Sequence, residues 1–409
     1  MMKQFLNAEV LCPAGDFERL QAAVQFGADA VYLSGKQFGM RSAPRNFELD
    51  ELKNAIDFAH QHQKKVYVTC NTLFSNQDID RFAQYVRLLR EFQADAVIVS
   101  DLGALKVAEK NAPTLPRHIS VQTGIYNYAA AQMMYDLGAS RVILSRELSV
   151  DQIAEIRDKT SPELELEAFV HGAMCVSFSG RCLLSDYMTG RSASFGDCAQ
   201  PCRWKYHLVE EKRPGEYFPI FEDDEGSHIL NAKDLCLISY IPQLLKAGVS
   251  SLKIEGRAKS VYYTAVTANA YRCALDDYLH NPVDWRPAPW ILEELDKISH
   301  RPYTTGFFRG REFATQEYQN GGYIREYQLV GIAESQTDGW LVFSGRNKVS
   351  KGDVLDILSP CGQPFLLPIE TIFDLDGNEI ETANCPRKLF RVPCSQTVAP
   401  GSLLRKESL

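Results

Sequence analysis

The chain has 409 residues, of which 45% are hydrophobic and 23% are charged, and its formal net charge is −8 at pH 7. This composition predicts globular cores in two domains, or in one barrel with an appendage, and the acidic balance excludes unspecific adhesion of the whole surface to nucleic acid or acidic lipid. No stretch approaches a membrane span in length, and the first residues lack the apolar run of a signal peptide, so we expect a cytoplasmic protein.

A short apolar run followed by an amphipathic helical pattern recurs through residues 9–276. The runs are rich in Val, Ile and Leu and are bounded by Gly, Asp, Asn or Ser, as in strands that are buried on both faces of a parallel sheet. The predicted strands are Val10–Cys12, Ala30–Leu33, Val66–Thr69, Ala96–Val99, His118–Val121, Arg141–Leu144, Leu164–Val170 and Ser251–Ile254. Eight such strands indicate a TIM-like (β/α)8 barrel over residues 1–300, with a doubly wound open sheet as the alternative.

The repeat breaks once, between the seventh and eighth predicted strands, where residues 171–250 form an insertion. Here we expect a hairpin with strands at Trp204–Glu210 and Tyr217–Glu222, and then a helix over Leu235–Lys246. An insertion after a barrel strand lies at the carboxyl-terminal face, where the active sites of barrels are found.

The pattern changes again near the carboxyl end of the sequence. Residues 301–326 are predicted to be a connector, and residues 327–409 show short strands and turns typical of a small antiparallel β-barrel. Residues 326–409 carry eight basic and eleven acidic side chains, so we do not expect the main phosphate-binding surface there.

Polar residues follow almost every predicted barrel strand and would point into one mouth. They are Asn71, Asp101, Gln122, Arg146, Glu147, His171, Glu255 and Arg257. We expect several of them to line a ligand pocket, with Glu147, Glu255, Arg146 and His171 as candidate catalytic groups. Arg146, Arg257 and His171 suit an anionic small molecule, because arginine binds carboxylates through two hydrogen bonds. The alternative is that some of them pair internally, for example Glu147 with Arg146 or Arg257.

Five of the eleven cysteines fall within residues 175–236: Cys175, Cys182, Cys198, Cys202 and Cys236. Iron–sulfur clusters use four thiolates, and glycine and serine are frequent around these cysteines, as the close approach of a loop to such a cluster requires. Structural zinc usually shows C-x2-C pairs, which this sequence lacks here. Two alternatives stay open: a set of buried thiols without a ligand, and a thiol–imidazole pair of Cys175 with His171.

Several long motifs resemble the collagenase-like peptidase family U32. The most specific are EAFVHGAMC at 167–175 and GRCLLS at 180–185. The segments LCPAGDFERLQAAVQFGADAVYL at 11–33, RVILSRELS at 141–149 and SLKIEGRAKSVYY at 251–263 are similar to the family's first, sixth and eighth strands. The chain is therefore identified as a member of this family, whose appended β-barrel corresponds to the residues from 327 onward.

The resemblance implies more than the family name. Bacterial members resemble oxygen-independent hydroxylation factors with a 4Fe-4S cluster, and this sequence is most similar to the branch in which prephenate is required to make 5-hydroxyuridine at the wobble position of tRNA. Peptidase activity and hydroxylation of a ribosomal RNA cytidine are the alternatives. The family's cluster ligands map onto Cys175, Cys182, Cys198 and Cys236, with Cys202 as a rival ligand.

A tRNA substrate would require local basic and aromatic groups on an acidic protein. Candidate phosphate contacts are Arg181, Arg191, Arg203, Lys205 and Lys259. Tyr187, Phe195 and Trp204 could stack an extruded base, or pack around the cysteine loop instead.

Overall fold

The short apolar runs of the sequence form the strands of a parallel barrel. The computed structural model describes residues 8–40, 46–174, 184–191, 197–199, 201, 221–223, 226–228, 233–310, 313–314 and 323–408. In chain order, the strands as far as the end of the barrel are β1 (Glu9–Pro13), β2 (Ala30–Leu33), β3 (Lys65–Cys70), β4 (Ala96–Val99), β5 (Arg117–Ile119), β6 (Arg141–Ile143), β7 (Glu165–Ala173), β8 (Phe221–Asp223), β9 (Gly226–His228), β10 (Asp234–Cys236) and β11 (Val249–Ile254).

The strands β1 to β7 pair in sequence order, and β11 closes the ring. Leu252 of β11 is in parallel register both with Val10 of β1 and with Ala168 of β7. A sheet whose first and last strands share one neighbour has no free edge, so the eight-stranded (β/α)8 barrel is confirmed and the open doubly wound sheet is excluded.

Helices follow most of the barrel strands and cover the outside. They are α1 (Phe17–Gln25), α2 (Leu49–Gln61), α3 (Asn76–Glu91), α4 (Leu102–Asn111), α5 (Tyr128–Asp136), α6 (Val150–Asp158), α7 (Leu184–Thr189), α8 (Ile241–Lys246), α9 (Val261–His280) and α10 (Pro289–Asp296). Side-chain caps fix several starts: Asp16 accepts the amide of Arg19, and Ser260 accepts that of Tyr263. Among the described residues, none of the helices has the length and apolar character that a bilayer crossing requires.

The insertion contributes a hairpin and a strand, and only the strand differs from expectation. The described hairpin pairs β8 with β9, whereas the predicted strand Trp204–Glu210 lies outside the described residues. The predicted helix Leu235–Lys246 is wrong in its first part, because Leu235 and Cys236 belong to β10, which pairs antiparallel with the end of β7. A strand, β12 (Tyr303–Thr304), adds in parallel to the other edge of β10. The mouth of the barrel is therefore extended on the side of β7.

A second sheet forms the carboxyl-terminal part. Its elements are β13 (Tyr327–Thr337), β14 (Trp340–Gly345), β15 (Val349–Ser350), β16 (Val354–Leu358), β17 (Phe365–Pro368), β18 (Ile372–Phe373), β19 (Glu379–Ile380), β20 (Thr382–Ala383), β21 (Leu389–Pro393) and β22 (Leu403–Glu407). Eight of them pair antiparallel in the order β17-β16-β22-β13-β14-β21-β18-β19, and β15 pairs with β20. Within residues 323–408 the end strands β17 and β19 do not pair with each other, so the predicted small barrel is a half-open one.

A buried ion group joins this sheet to the barrel. Arg405 of β22 has no exposed surface, and its Nη2 donates to Glu294 of α10 at 2.7 Å and to Asp356 of β16 at 3.1 Å. Lys297 donates to the same two carboxylates at 2.9 and 2.6 Å. Since each charge is paired where water is excluded, the group fixes how the sheet packs on α10.

Candidate functional site at the barrel mouth

A network of charges fills the amino-terminal half of the barrel interior. Arg141 of β6 reaches Glu9 of β1 at 2.5 Å and Glu167 of β7 at 3.0 Å, and Lys253 of β11 reaches Glu167 at 2.6 Å. Burial opposes ionisation of Glu167, but Lys253 and Arg141 outweigh it and hold the pKa of this carboxyl below its usual value. These four residues, which we call the sealed layer, satisfy one another and leave little capacity for a ligand.

Aromatic rings lie between the sealed layer and the mouth. Lys253 places its Nζ 4.6 Å from the ring centre of Tyr32 and 5.4 Å from that of Phe169. On the side of the mouth, the Arg146 guanidinium lies 3.7 Å from the centre of the same Phe169 ring. Phe169 thus separates a cation that is committed to the sealed layer from one that belongs to the mouth.

The mouth contains an arginine–glutamate pair contributed by two strand ends. Arg146 follows β6 and Glu255 follows β11, and Arg146 Nη2 lies 3.1 Å from Glu255 Oε2. Their side chains are 11% and 15% exposed, in contrast to 0% for Glu167. The structure therefore brings together two of the predicted site residues, and the partner it gives Arg146 is Glu255. Glu147, the other predicted catalytic carboxylate, lies half-buried directly after Arg146.

A small cleft opens beside Arg146. Its lining includes Ser145, Arg146, Phe169, Thr305 and Phe308, and the rest of the lining is aliphatic. The Ser145 hydroxyl is buried and has no hydrogen-bond partner among the described residues. An arginine beside an unsatisfied hydroxyl and an aromatic wall is a combination that suits an anionic molecule with an apolar body.

Most of the remaining polar residues at the strand ends make hydrogen bonds within the protein. Arg257 is buried and donates through Nη1 to Thr69 Oγ1 at 2.9 Å, across the barrel. Asn71 lies 3.4 Å from Ser120 and accepts the amide of Met40 at 3.4 Å. Gln122 lies half-buried in the 3-10 turn Val121–Thr123. Asp101 accepts the Ala104 amide and caps α4, so its place at a strand end has a structural explanation.

His171 is fully enclosed by aromatic residues. Its ring lies 5.9 and 5.6 Å from Tyr263 and Tyr271 of α9, and 5.4 Å from Tyr303 of β12. Burial, together with the neighbouring His300 and Lys259, lowers the pKa of His171 to about 3. Neither ring nitrogen has a hydrogen-bond partner among the described residues. The imidazole is therefore neutral at pH 7 and does not provide the positive charge expected for anion binding.

The cysteines are described only in part. Cys236 of β10 lies opposite His171 of β7, near the point where the described part of β7 runs on to Met174. Cys198 is an exposed thiol. Cys175, Cys182 and Cys202 lie outside the described residues. Within the described residues, no three His, Cys, Asp or Glu side chains lie close enough together to hold a metal ion.

Cys236 is a partly buried thiol beside the mouth. Burial raises the pKa of its thiol to about 11, while hydrogen bonds from the Ile238 backbone and from Tyr271 act in the opposite direction. A thiol in this position keeps its proton at pH 7 unless a cation displaces it, as a coordinated metal does. This environment favours the protonated thiol, and the iron–sulfur cluster stays a prediction.

The residues predicted to contact RNA are also described only in part. Arg191 is exposed and pairs with Asp197 at 2.6 Å, and Lys259 lies half-buried in the loop between β11 and α9. Arg181, Arg203, Lys205, Phe195 and Trp204, like the side chain of Tyr187, lie outside what the structure describes.

The sealed layer was missed in the sequence, although one signal pointed to it. The seventh predicted strand alternates Leu164, Leu166 and Ala168 with Glu163, Glu165 and Glu167. In a barrel one face of every strand lies inside, so a strand with an acidic face requires buried cations on its neighbours.

A closed parallel barrel with an appended antiparallel sheet defines a class of two-domain (β/α)8-barrel proteins. Within this class, the chain belongs to peptidase family U32. Residues 15–318 match Peptidase family U32, and residues 325–405 match the Peptidase family U32 C-terminal domain.

Three curated relatives illustrate the range of the family. The chain is 35% identical over 402 residues to tRNA hydroxylation protein P1 of Bacillus subtilis, covering 97% of this chain and 94% of that protein. It is 37% identical over 399 residues to tRNA hydroxylation protein P of Escherichia coli, covering 87% and 86%. It is also 29% identical over 419 residues to a collagenase of Porphyromonas gingivalis, covering 97% of each.

Proposed function

We propose that this protein is an RNA-modifying enzyme that hydroxylates tRNA, replacing the hydrogen at C5 of the wobble uridine by a hydroxyl group. The observation that carries the proposal is the 35% identity, over 97% of the chain, to a relative named as a tRNA hydroxylation protein. The polar mouth supports it, because barrel enzymes carry out their chemistry at the ends of their strands.

The mouth also supports an anionic co-substrate, for which prephenate is our candidate. Prephenate carries one carboxylate on its ring and a second on its pyruvyl side chain, and the cleft beside Arg146 combines a guanidinium, the Ser145 hydroxyl and the Phe169 ring. An incoming carboxylate would exchange with Glu255 for Arg146, since both present the same two oxygens to the guanidinium. Arg257, Asn71 and Gln122 would complete the surroundings of the ligand.

Proton transfer at this mouth falls to its carboxylates rather than to its histidine. Glu255 is held by Arg146, and Glu147 follows Arg146 in the same loop. His171, with a pKa of about 3, would act only as a neutral hydrogen-bonding group. We therefore propose Glu147 and Glu255 as the acid–base pair and His171 as a packing partner of the mouth.

A 4Fe-4S cluster held by Cys175, Cys182, Cys198 and Cys236, with Cys202 as the rival ligand, would supply one-electron transfer, and it would make the reaction independent of oxygen. Replacing the C5 hydrogen by a hydroxyl group from water releases two protons and two electrons, so an external electron acceptor would have to take up the electrons that the cluster passes on. The position of Cys236 beside the mouth is the structural support for this assignment.

The test is mass spectrometry of tRNA nucleosides from cells grown without oxygen. A strain that lacks the gene should lose 5-hydroxyuridine derivatives, and the unchanged gene should restore them. Cys175→Ala and Arg146→Met should not restore them, whereas Lys110→Gln, an exposed change at the far end of α4, should. Unchanged levels of 5-hydroxyuridine derivatives in the deletion strain would refute the proposal, and loss of a hydroxylated cytidine from ribosomal RNA would move the function to that substrate.

Proteolysis is a second candidate because one relative is named collagenase. The described geometry gives it little support, since neither nitrogen of His171 is hydrogen-bonded to a group that would orient it as a general base. Cleavage of gelatin by anaerobically purified protein, abolished by Cys175→Ala and retained in Lys110→Gln, would establish it.

A further inference from the structure

The carboxyl-terminal sheet carries a cluster of two aromatic rings and an arginine. Trp340 and Phe373 meet edge to face, with their ring centres 5.3 Å apart and their planes at 89°. The guanidinium carbon Cζ of Arg391 lies 5.0 Å from the centre of the Trp340 ring and 5.7 Å from that of Phe373. We call these three residues the Trp340 platform. They belong to residues 323–408, which the structure describes without a gap.

Strand register places the platform on one face of the sheet. Arg391 of β21 pairs with Val342 of β14 on one side and with Phe373 of β18 on the other. Trp340 lies two residues before Val342, so both side chains point to the same face. The alternating residues point the other way and form the core of this sheet, with at most 2% exposure: Leu341, Phe343, Phe390 and Val392. The platform therefore lies on the outer face, opposite the core.

This outer face is more apolar than the fold requires. An antiparallel sheet with one buried face normally carries polar side chains on the other. The three residues of the platform are only half-buried, and Pro393, which pairs with Trp340, is exposed. Leu375, in the turn that follows Phe373, is 55% exposed. Apolar side chains that gather on an exposed face indicate a surface that binds a partner.

Arg391 is held in this cluster by the rings and not by a carboxylate. Among the described residues its side chain makes no hydrogen bond or ion pair, and its Nε is buried without a partner. Glu379 of β19 pairs with Phe373 in the next position of the same row, but its carboxylate contacts Lys351 at 3.0 Å. The guanidinium thus keeps N–H donors for a ligand, and as a cation it favours an anionic partner over a cationic one.

A single-stranded stretch of RNA suits this surface better than other ligands. Antiparallel sheets that bind single-stranded RNA stack its bases on aromatic side chains, and an arginine adds a cation–π contribution. A small acid requires an enclosed pocket, which an open sheet face does not provide. Residues 326–409 carry eleven acidic and eight basic side chains, so RNA would be held here by stacking more than by attraction of its phosphates.

We propose that the Trp340 platform binds an unpaired base of the RNA substrate, which stacks on Trp340 and accepts hydrogen bonds from Arg391. The inference rests on the proposed function in that the ligand is RNA. The carboxyl-terminal sheet would then hold the tRNA at a second point, in addition to the barrel mouth, and it would act through binding and not through chemistry.

The experiment is binding of an unmodified tRNA transcript to the full-length protein, purified without oxygen, measured by fluorescence anisotropy over a series of salt concentrations. Trp340→Leu should weaken binding about fivefold or more, as expected for the loss of one stacked base. It should leave the slope of log K against log salt unchanged, because phosphate contacts determine that slope. Arg391→Gln should also weaken binding, about twofold to tenfold. Leu366→Gln is the matched control, since Leu366 of β17 is a 67% exposed apolar residue of the same sheet, and it should bind like the unchanged protein.

A second measurement reports on the stacking itself. Trp340 is one of four tryptophans in the chain, and a base stacked on it should quench its fluorescence. Bound tRNA should therefore quench the tryptophan emission of the unchanged protein more than that of Trp340→Phe, which keeps an aromatic ring and most of the affinity. Circular dichroism shows whether Trp340→Leu is folded. If it is not, the comparison of quenching and the affinity of Arg391→Gln decide.

The outcomes separate the platform from the function on which it rests. If the unchanged protein binds the transcript and Trp340→Leu and Arg391→Gln bind it equally well, the platform is not an RNA site, while tRNA remains a ligand. Equal quenching in the unchanged protein and Trp340→Phe, or a lower salt slope in Trp340→Leu, would exclude stacking on this residue. If the unchanged protein does not bind the transcript at any salt concentration, the RNA ligand of the platform and a tRNA substrate are both refuted.

Discussion

The two polar layers inside the barrel are built from the same residue types but differ in how fully they are paired. In the sealed layer Arg141 contacts the carboxylates of Glu9 and Glu167, and the side chains of Arg141, Glu167 and Lys253 are at most 5% exposed. At the mouth, Arg146 pairs with Glu255 and borders a cleft with Ser145, whose hydroxyl has no hydrogen-bond partner among the described residues. Charges that satisfy one another hold a barrel together, whereas charges with spare capacity can exchange partners with a ligand.

The largest effect is expected from breaking the sealed layer. Glu167→Gln leaves Lys253 and Arg141 without their shared carboxylate in a site that water cannot reach, which should cost about 3–5 kcal/mol of unfolding free energy. Glu165→Gln is the matched control, because Glu165 also contacts Arg141 but is 49% exposed. Urea unfolding followed by circular dichroism measures both. Equal and small losses would show that the layer is not a structural unit.

A second sealed group, at the junction of the two sheets, sharpens the comparison. Arg405→Met leaves Glu294 and Asp356 buried with only Lys297 to balance them, so a loss of about 3 kcal/mol is expected. Arg346→Met is the control, since Arg346 also joins the carboxyl-terminal sheet to the barrel through Glu18 at 2.8 Å but is partly exposed. Its loss should be below about 1 kcal/mol. Calorimetry measures the unfolding of both variants, and equal losses of stability in the two would contradict this distinction.

The sealed layer should also make stability depend on pH through His118 of β5. Burial and the charges of Arg141 on β6, Lys253 on β11 and Lys65 on β3 hold the pKa of His118 well below its usual value. Below pH 6.5 His118 binds a proton in the unfolded chain but not in the folded protein. The free energy of unfolding therefore falls as the pH decreases from 7 to 5. The contribution is about 1.4 kcal/mol per pH unit for one proton.

His118→Gln tests this dependence. The variant should show a shallower decrease of melting temperature between pH 7 and pH 5 than the unchanged protein. His60→Gln is the control, because His60 is partly exposed beside Asp95. If the melting temperature of the His118 variant depended on pH as that of the unchanged protein does, His118 would not be the source of the pH dependence.

The smallest effect is expected at the unsatisfied hydroxyl of the mouth. Ser145→Ala should leave stability unchanged or slightly raised, because the hydroxyl has no partner in the described part of the chain. The same change should weaken binding of prephenate by about 1 kcal/mol, or roughly fivefold. Ser140→Ala, at the other end of β6, should not affect binding. Calorimetric titration with prephenate measures the affinity of both variants. An unchanged affinity of Ser145→Ala would show that prephenate does not contact the hydroxyl.

Much of the barrel could be predicted because buried parallel strands appear in the sequence as short apolar runs. The run at 96–99 is a complete example, since the predicted and observed strand have the same limits. Leu235–Lys246 was misjudged because its apolar spacing suits a strand end followed by a helical turn as well as one helix, and the pairing of β10 with β7 decided between them.

The site could be predicted only in outline. Sequence order places polar groups at the mouth, but it does not reveal that Arg257 crosses the barrel to Thr69, or that Arg146 meets Glu255 rather than its neighbour Glu147. The environment of His171 depends on an irregularity in the register of β7 with β11, where Lys253 faces Phe169 but Ile254 faces His171. One extra residue in a strand changes the direction of the side chains that follow it. The local sequence does not predict where such a bulge occurs.

The difference between the layers is tested most directly by prephenate binding to Arg146→Met, measured by calorimetry on anaerobically purified protein alongside its urea unfolding. Within the described residues Arg146 pairs with Glu255 in the partly exposed mouth, so the variant should keep its fold within about 1–2 kcal/mol of the unchanged protein. Its affinity for prephenate should fall at least tenfold. Undiminished prephenate binding by the folded variant would contradict the assignment of the mouth as the anion site.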